Sequence, residues 1–166
     1  RSVELAMKNN LTLQVLSSLI RQKGTLIVNE KKLVEKEVVS GVTYSNNESK
    51  ITISGVPDKP GIAANIFGIL SKENINVDMI VQNISQDGIS ANLTFTVKSN
   101  DMTISKKLLE NNHKEIQYQQ ISTDSEVAKI SVVGMGMMSQ AGVAEKMFYT
   151  LAKEKINIQA ISTSEI

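Results

Sequence analysis

The sequence predicts an α+β protein built from ferredoxin-like βαββαβ units in tandem, the second of them incomplete within these 166 residues. Three observations carry this. The segments Lys50-Ile-Thr-Ile-Ser-Gly-Val-Pro-Asp-Lys-Pro-Gly61 and Lys129-Ile-Ser-Val-Val-Gly-Met-Gly-Met-Met-Ser-Gln-Ala-Gly142 are related, and each leads into an amphipathic stretch ending in Ile-Asn-Val or Ile-Asn-Ile. Alignment sets Ile51 on Ile130, Gly55 on Gly134, Gly61 on Gly142, Phe67 on Phe148, Leu70 on Leu151 and Asn76 on Asn157, an offset of 79 residues before the loop and 81 after it. A period this long means a small domain used twice, not a solenoid of short repeats. Within the first copy, apolar spacing passes from period two to period 3.6 and back twice, in the order β-α-β-β-α-β.

The elements follow in order. Ser2 to Asn10 carries Val3, Leu5, Ala6 and Met7 in a helical pattern closed by Asn9-Asn10, whose side chains favour turns. Leu11, Leu13, Val15 and Leu16 suggest a strand, and Leu26-Ile27-Val28 a second apolar run beyond the flexible Gln22-Lys23-Gly24. Lysines and glutamates from Glu30 to Glu37 read as a solvated linker. Val38, Val39, Val42 and Tyr44 form a strand, Ser45 to Ser49 a turn, and Ile51, Ile53 and Val56 a half-buried strand. Ile62, Ile66, Phe67 and Leu70 share one helical face, so a helix runs from Ile62 to Glu73 and ends at Asn74. Val77, Met79, Val81 and Ile84, the turn Gln86-Asp87-Gly88, and Ile89 to Val97 make a hairpin. Met102 to Asn112 is the second helix, and Ile116, Tyr118 and Gln120 begin the last strand.

The second copy supplies a strand from Lys129, a helix carrying Val143, Met147, Phe148 and Leu151, and a strand from Asn157. Its hairpin partner, second helix and final strand are expected beyond Ile166. A chain that begins at Arg1 and stops part-way through a unit is expected to be a piece of a longer polypeptide.

Composition removes several classes of function. The chain is 41% hydrophobic and 21% charged, as folded globular proteins are. A net charge of +1 gives no field favouring nucleic acid or an anionic membrane. There is no cysteine for disulfides or thiolate metal sites, and no apolar run long enough to span a bilayer or serve as a signal peptide. A cytoplasmic location is the default expectation. His113, the single histidine, has no nearby nucleophile or ligand set and reads as a solvated helix end. No phosphate-cradling glycine loop occurs, so no catalytic residue and no metal ligand are assigned.

One loop can bind. Gly55-Val-Pro-Asp-Lys-Pro-Gly61 joins a strand to a helix, whose start offers unpaired N–H groups and partial positive charge to a carboxylate. Pro57 and Pro60 stiffen the turn, Gly61 lets a ligand approach the backbone, and Asp58 can meet an ammonium group. An amino acid carries both charges. The alternative is that Asp58 only caps the helix.

Here the chain resembles a family. Gly-Val-Pro-Asp-Lys-Pro-Gly-Ile-Ala-Ala at 55 to 64, Ile75-Asn-Val-Asp-Met-Ile-Val-Gln-Asn-Ile-Ser85 and Ile156-Asn-Ile-Gln-Ala-Ile-Ser-Thr-Ser-Glu-Ile166 resemble the tandem ACT domains at the C-terminus of aspartate kinase. The resemblance implies that residues 1–28 end the catalytic domain, 29–37 are a linker, 38–124 form the first ACT domain with its leading strand, and 125–166 the first half of the second. It implies a parent that phosphorylates the side-chain carboxylate of aspartate with ATP and magnesium, while this portion needs no cofactor.

It further implies feedback inhibition by lysine, threonine or both, bound where ACT units of two subunits meet in a homodimer. Asp58, Gly61, Ala63 and Gln82 would face Asn157 and Ile158 of another subunit. A second pocket would use Asn83, Ser85, Met137, Ser164 and Glu165. Two features depart from the family. Met135 to Gln140 lacks the Asp-Lys-Pro pattern, and Ala144 stands where some relatives carry a hydroxyl residue. Three other readings remain open: an ACT module that only dimerises, the regulatory domain of another amino-acid biosynthetic enzyme, and a free-standing ferredoxin-like enzyme or RNA-binding plait. The last meets strands without interleaved aromatics or a basic stripe.

Overall fold

The computed structural model describes residues 1–28, 38–85, 88–134 and 142–163. Helix α1 spans Ser2–Lys8. Its end is a Schellman turn in which Leu11 N–H reaches the Ala6 carbonyl at 2.9 Å and Asn10 takes a left-handed φ of 53°. Strands β1 (Leu13–Val15) and β2 (Thr25–Ile27) pair antiparallel as a separate two-stranded sheet. The expected linker at 29–37 lies outside the described residues.

The main sheet has four strands in the order β4-β5-β3-β6: β3 (Gly41–Pro57), β4 (Val77–Ile84), β5 (Ser90–Lys98) and β6 (Gln120–Val133). Helices α2 (Ile62–Lys72) and α3 (Met102–Asn111) follow β3 and β5, which completes one βαββαβ unit. Their apolar stripes bury Ile51, Ile53, Ile66, Leu70, Phe95 and Leu109 completely, and Phe67 meets Phe95 edge-on with ring centroids 5.4 Å apart.

Two expectations change at the strands. Ser45 to Ser49 is not a turn; β3 runs through it, with register shifts between Ser45 and Glu48 and between Glu48 and Lys50 absorbing the polar residues. Ile116 does not begin the last strand: His113–Ile116 is a helical turn, α4, and β6 starts at Gln120. That strand runs on across the expected domain boundary at 124/125 into the opening strand of the second copy.

The β3–β6 ladder is its own image under the repeat. Pairing begins at Gly41↔Val133, passes Glu48↔Val127 and ends at Ser54↔Gln120. Moving every residue by the offset of 79 turns the first pair into the last and leaves Glu48↔Val127 in place. A local two-fold axis therefore passes beside Glu48 and Val127. Bonds beyond the ladder obey it too: Gln119 N–H to the Ser54 carbonyl at 2.9 Å is the counterpart of Ser40 N–H to Val133 at 2.8 Å.

Gly41–Ser45, read as the strand leading into the first unit, is thus hydrogen-bonded to Lys129–Val133 of the second. It occupies the position that Gln120–Asp124 holds beside β3 in the first unit.

Helix α5 (Val143–Lys153) repeats α2 closely. Gly61 and Gly142 precede them with φ of 95° and 100°. Asn74 and Lys155 end them with φ of 56° and 57°, and Ile75 and Ile156 donate back to Leu70 and Leu151 at 3.1 and 2.9 Å. Residues 157–163 form no strand. A strand is defined by a hydrogen-bonded neighbour, and this stretch, expected as a strand from Asn157, has none among the described residues.

Candidate functional site

The Asp58 loop closes one end of the main sheet. Asp58 N–H bonds the Ile89 carbonyl at 3.0 Å, and Lys59 N–H bonds Pro57 at 2.9 Å, which folds the chain into α2. Gly61, not Asp58, is the N-cap residue, and no side chain caps the helix. The capping alternative therefore has no support, and the exposed Asp58 carboxylate is open to solvent. Ala63 sits in the first turn of α2, where amides lack intrahelical acceptors.

Pro57 pairs with Ser90, and Ala91 with Ile84, so the loop and the C-terminal end of β4 share this end of the sheet. Gln82 pairs with Leu93, which is buried under the helices, and so belongs to the helix-bearing face with the loop. Asn83 pairs with Asn92, and Thr94, next but one along β5, pairs with Thr52 on the open face. Gln82 thus groups with Asp58, Gly61 and Ala63, while Asn83 and Ser85 fall to the opposite face. Ser85 also anchors the hairpin end, its N–H bonding the Ser90 carbonyl at 2.8 Å.

Asn157 is exposed and Ile158 half-buried just beyond the end of α5, and no backbone hydrogen bond joins either to the Asp58 loop of its own chain. Met137, Ser164 and Glu165 lie outside the described residues, as does the loop from Met135 to Gln140. His113 is exposed, with Nε2 2.9 Å from the Tyr118 carbonyl and its ring edge-on to the Tyr118 ring.

A polar cluster not anticipated from the sequence covers the open face. Asp78, Thr96, Lys50 and Asp124 form one row across β4, β5, β3 and β6. Lys129 Nζ pairs with Asp78, and Lys50 Nζ donates to Gln159, whose Nε2 donates to Asp124 at 3.0 Å. The Lys129 ammonium, then the Met79 N–H, hold the Asp78 carboxyl below the usual carboxylate range. Gln159, then the Glu126 N–H, lower Asp124 in the same way. Lys50 and Lys129 are equivalent in the repeat, as are Asp78 and Gln159, so each unit sends its lysine to the matching segment of the other. The repeat offsets were the one signal that could have found this crossing.

Comparison with known proteins agrees with the fold. The family model described as ACT domain matches residues 51–113 and 130–166. The regulatory subunit of aspartate kinase from Thermus thermophilus, in its ligand-free form, superposes with a TM-score of 0.71 at 35% identity, covering 78% of this chain and 85% of that one. The chain belongs to the ACT-domain family, as the regulatory region of an aspartate kinase. A structure of aspartokinase α and β subunits gives a TM-score of 0.69 at 44% identity, over 77% of this chain and 83% of that one. Aspartate kinase of Pseudomonas fluorescens is 49% identical over the whole of this chain, which spans 40% of that relative's length. Among the described residues of this ACT region, no group of three potential metal ligands occurs, and no helix is long and apolar enough to cross a membrane.

Proposed function

We propose that this regulatory region binds lysine, threonine or both at interfaces between ACT units of two subunits, and so inhibits a cytoplasmic kinase that phosphorylates the side-chain carboxylate of aspartate with ATP and magnesium. The observation that carries this reading is an exposed Asp58 carboxylate that caps nothing, beside the first turn of α2 and on the same sheet face as Gln82. An amino acid's ammonium suits Asp58, its carboxylate suits the first-turn amides, and a hydroxyl suits the Gln82 amide. Asn157 and Ile158, contributed by another subunit, would close this pocket. Asn83 and Ser85, with Met137, Ser164 and Glu165, would form the second, where Glu165 suits a lysine ε-ammonium.

A homodimer fits the position of β4, whose Ile80 and Ile84 are 52% and 64% exposed at what is, among the described residues, the edge of the sheet. Inhibition follows if effectors bind one dimer arrangement more tightly and that arrangement is the less active one. Calorimetry of the full-length enzyme with lysine and threonine tests the reading. Asp58→Ala is expected to weaken threonine binding at least about ten-fold. Ser99→Ala, beyond the opposite end of β5, is expected to leave it unchanged. Dimerisation without binding of either amino acid would favour the purely structural role.

A further inference from the structure

The face on which Gln82 stands is set by a bulge in β4. Asp78 pairs with Thr96 and Val81 with Thr94, so Met79 and Ile80 together oppose Phe95. Counting back without the extra residue would put Gln82 opposite Asn92 and Asn83 opposite Ala91. One residue of slippage therefore exchanges the two between the faces of the sheet.

This bulge opposes local preference. Met79 has φ of 38°, a conformation that suits glycine, whereas the neighbouring bulge in β3 places Gly55 at 68°. The unbulged register would also keep Val77, Met79 and Val81 in simple alternation toward the core. What holds the bulge is local to Asp78. Asp78 stays opposite Thr96 in either register, so the bond specific to the bulge is Met79 N–H to Asp78 Oδ1 at 2.8 Å. Thr96 Oγ1 on the Asp78 carbonyl at 3.2 Å and Lys129 Nζ on Oδ2 hold the residue and the carboxylate in the orientation that makes it.

We propose that Asp78 and Lys129 act as a register lock, through which a lysine of the second ACT unit determines that β4 of the first presents Gln82, not Asn83, to the Asp58 loop. Lys129 is then a positioning residue for effector recognition without touching the effector. The effector consequence rests on the proposed function above; the register consequence does not.

The test uses the full-length enzyme and disulfide trapping mapped by mass spectrometry. Asn83→Cys with Asn92→Cys reports the bulged register, and Gln82→Cys with Asn92→Cys the slipped one. Both pairs lack the Asn92 bond to Gly55 N–H, so its loss cancels. In the Lys129→Met background the first pair is expected to cross-link about five-fold or more slowly and the second faster. Adding Met79→Gly, which relaxes the left-handed residue, is expected to restore the first. Rates within two-fold of the parent in both pairs, or no recovery with Met79→Gly, would overturn the lock. In Lys129→Met without the cysteines, threonine affinity should fall, and Met79→Gly should restore it. If the parent binds neither amino acid, the effector reading fails while the cross-linking still decides the lock.

Discussion

At the scale of single residues, two positions work against the fold. Ser49 is fully buried on β3 and its hydroxyl has no hydrogen-bond partner among the described residues. Removing a buried, unpaired polar group recovers its desolvation penalty, so Ser49→Ala should stabilise by about 1 kcal/mol, seen as a higher urea midpoint with unchanged slope. Lys155 takes a left-handed conformation at the end of α5. Asparagine tolerates that region better, as at the equivalent Asn74, and Lys155→Asn should add about 0.5 kcal/mol, read as a small rise in Tm. The helix ends at Asn9-Asn10 and Asn74 could be read from sequence because asparagine favours that backbone. Lysine carries no such mark, and the end of α5 is visible only through the repeat alignment.

At the scale of elements, close backbone approach decides where change is tolerated. A Cβ on Gly134 would lie 2.1 Å from the Val38 carbonyl oxygen, so Gly134→Ala forces two chain segments apart. It should cost about 2–3 kcal/mol by chemical denaturation. The Cβ of an alanine at Gly55 would meet the side chain of Gln119, which can rotate away, so its penalty comes mainly from φ of 68°. That cost should be nearer 1–2 kcal/mol. The helices were readable from apolar spacing, which is local. The strand through Ser45 to Ser49 was not, because its polar residues have low β preference and are kept extended by pairing with β6, more than seventy positions away in sequence. The same limit hid the site: alternation along β4 cannot reveal a bulge, so the faces of Gln82 and Asn83 followed only from their register with β5.

At the scale of the whole molecule, the crossing contacts make the association of the two units sensitive to acid. Asp78 and Asp124 have folded pKa values below their ordinary ones, so each contributes stability above about pH 4 that is lost as pH falls toward the folded value. Urea midpoints measured from pH 6 down to pH 2 should decline, and the decline should be shallower in Lys129→Met, which removes the main cause of the Asp78 shift. Added salt should reduce the difference, since both partners are partly exposed.

The shared ladder also orders events during synthesis. Gly41–Ser45 leaves the ribosome long before its partner Lys129–Val133, and the intervening chain is the whole first unit. Closing so long a loop in an unfolded chain is slow. Once the first unit has folded, Lys50 stands opposite Asp124, and the two waiting strands emerge side by side from one folded body. The earlier unit becomes the scaffold on which the later one zips, so a defect confined to the first core should appear as failed maturation of the second.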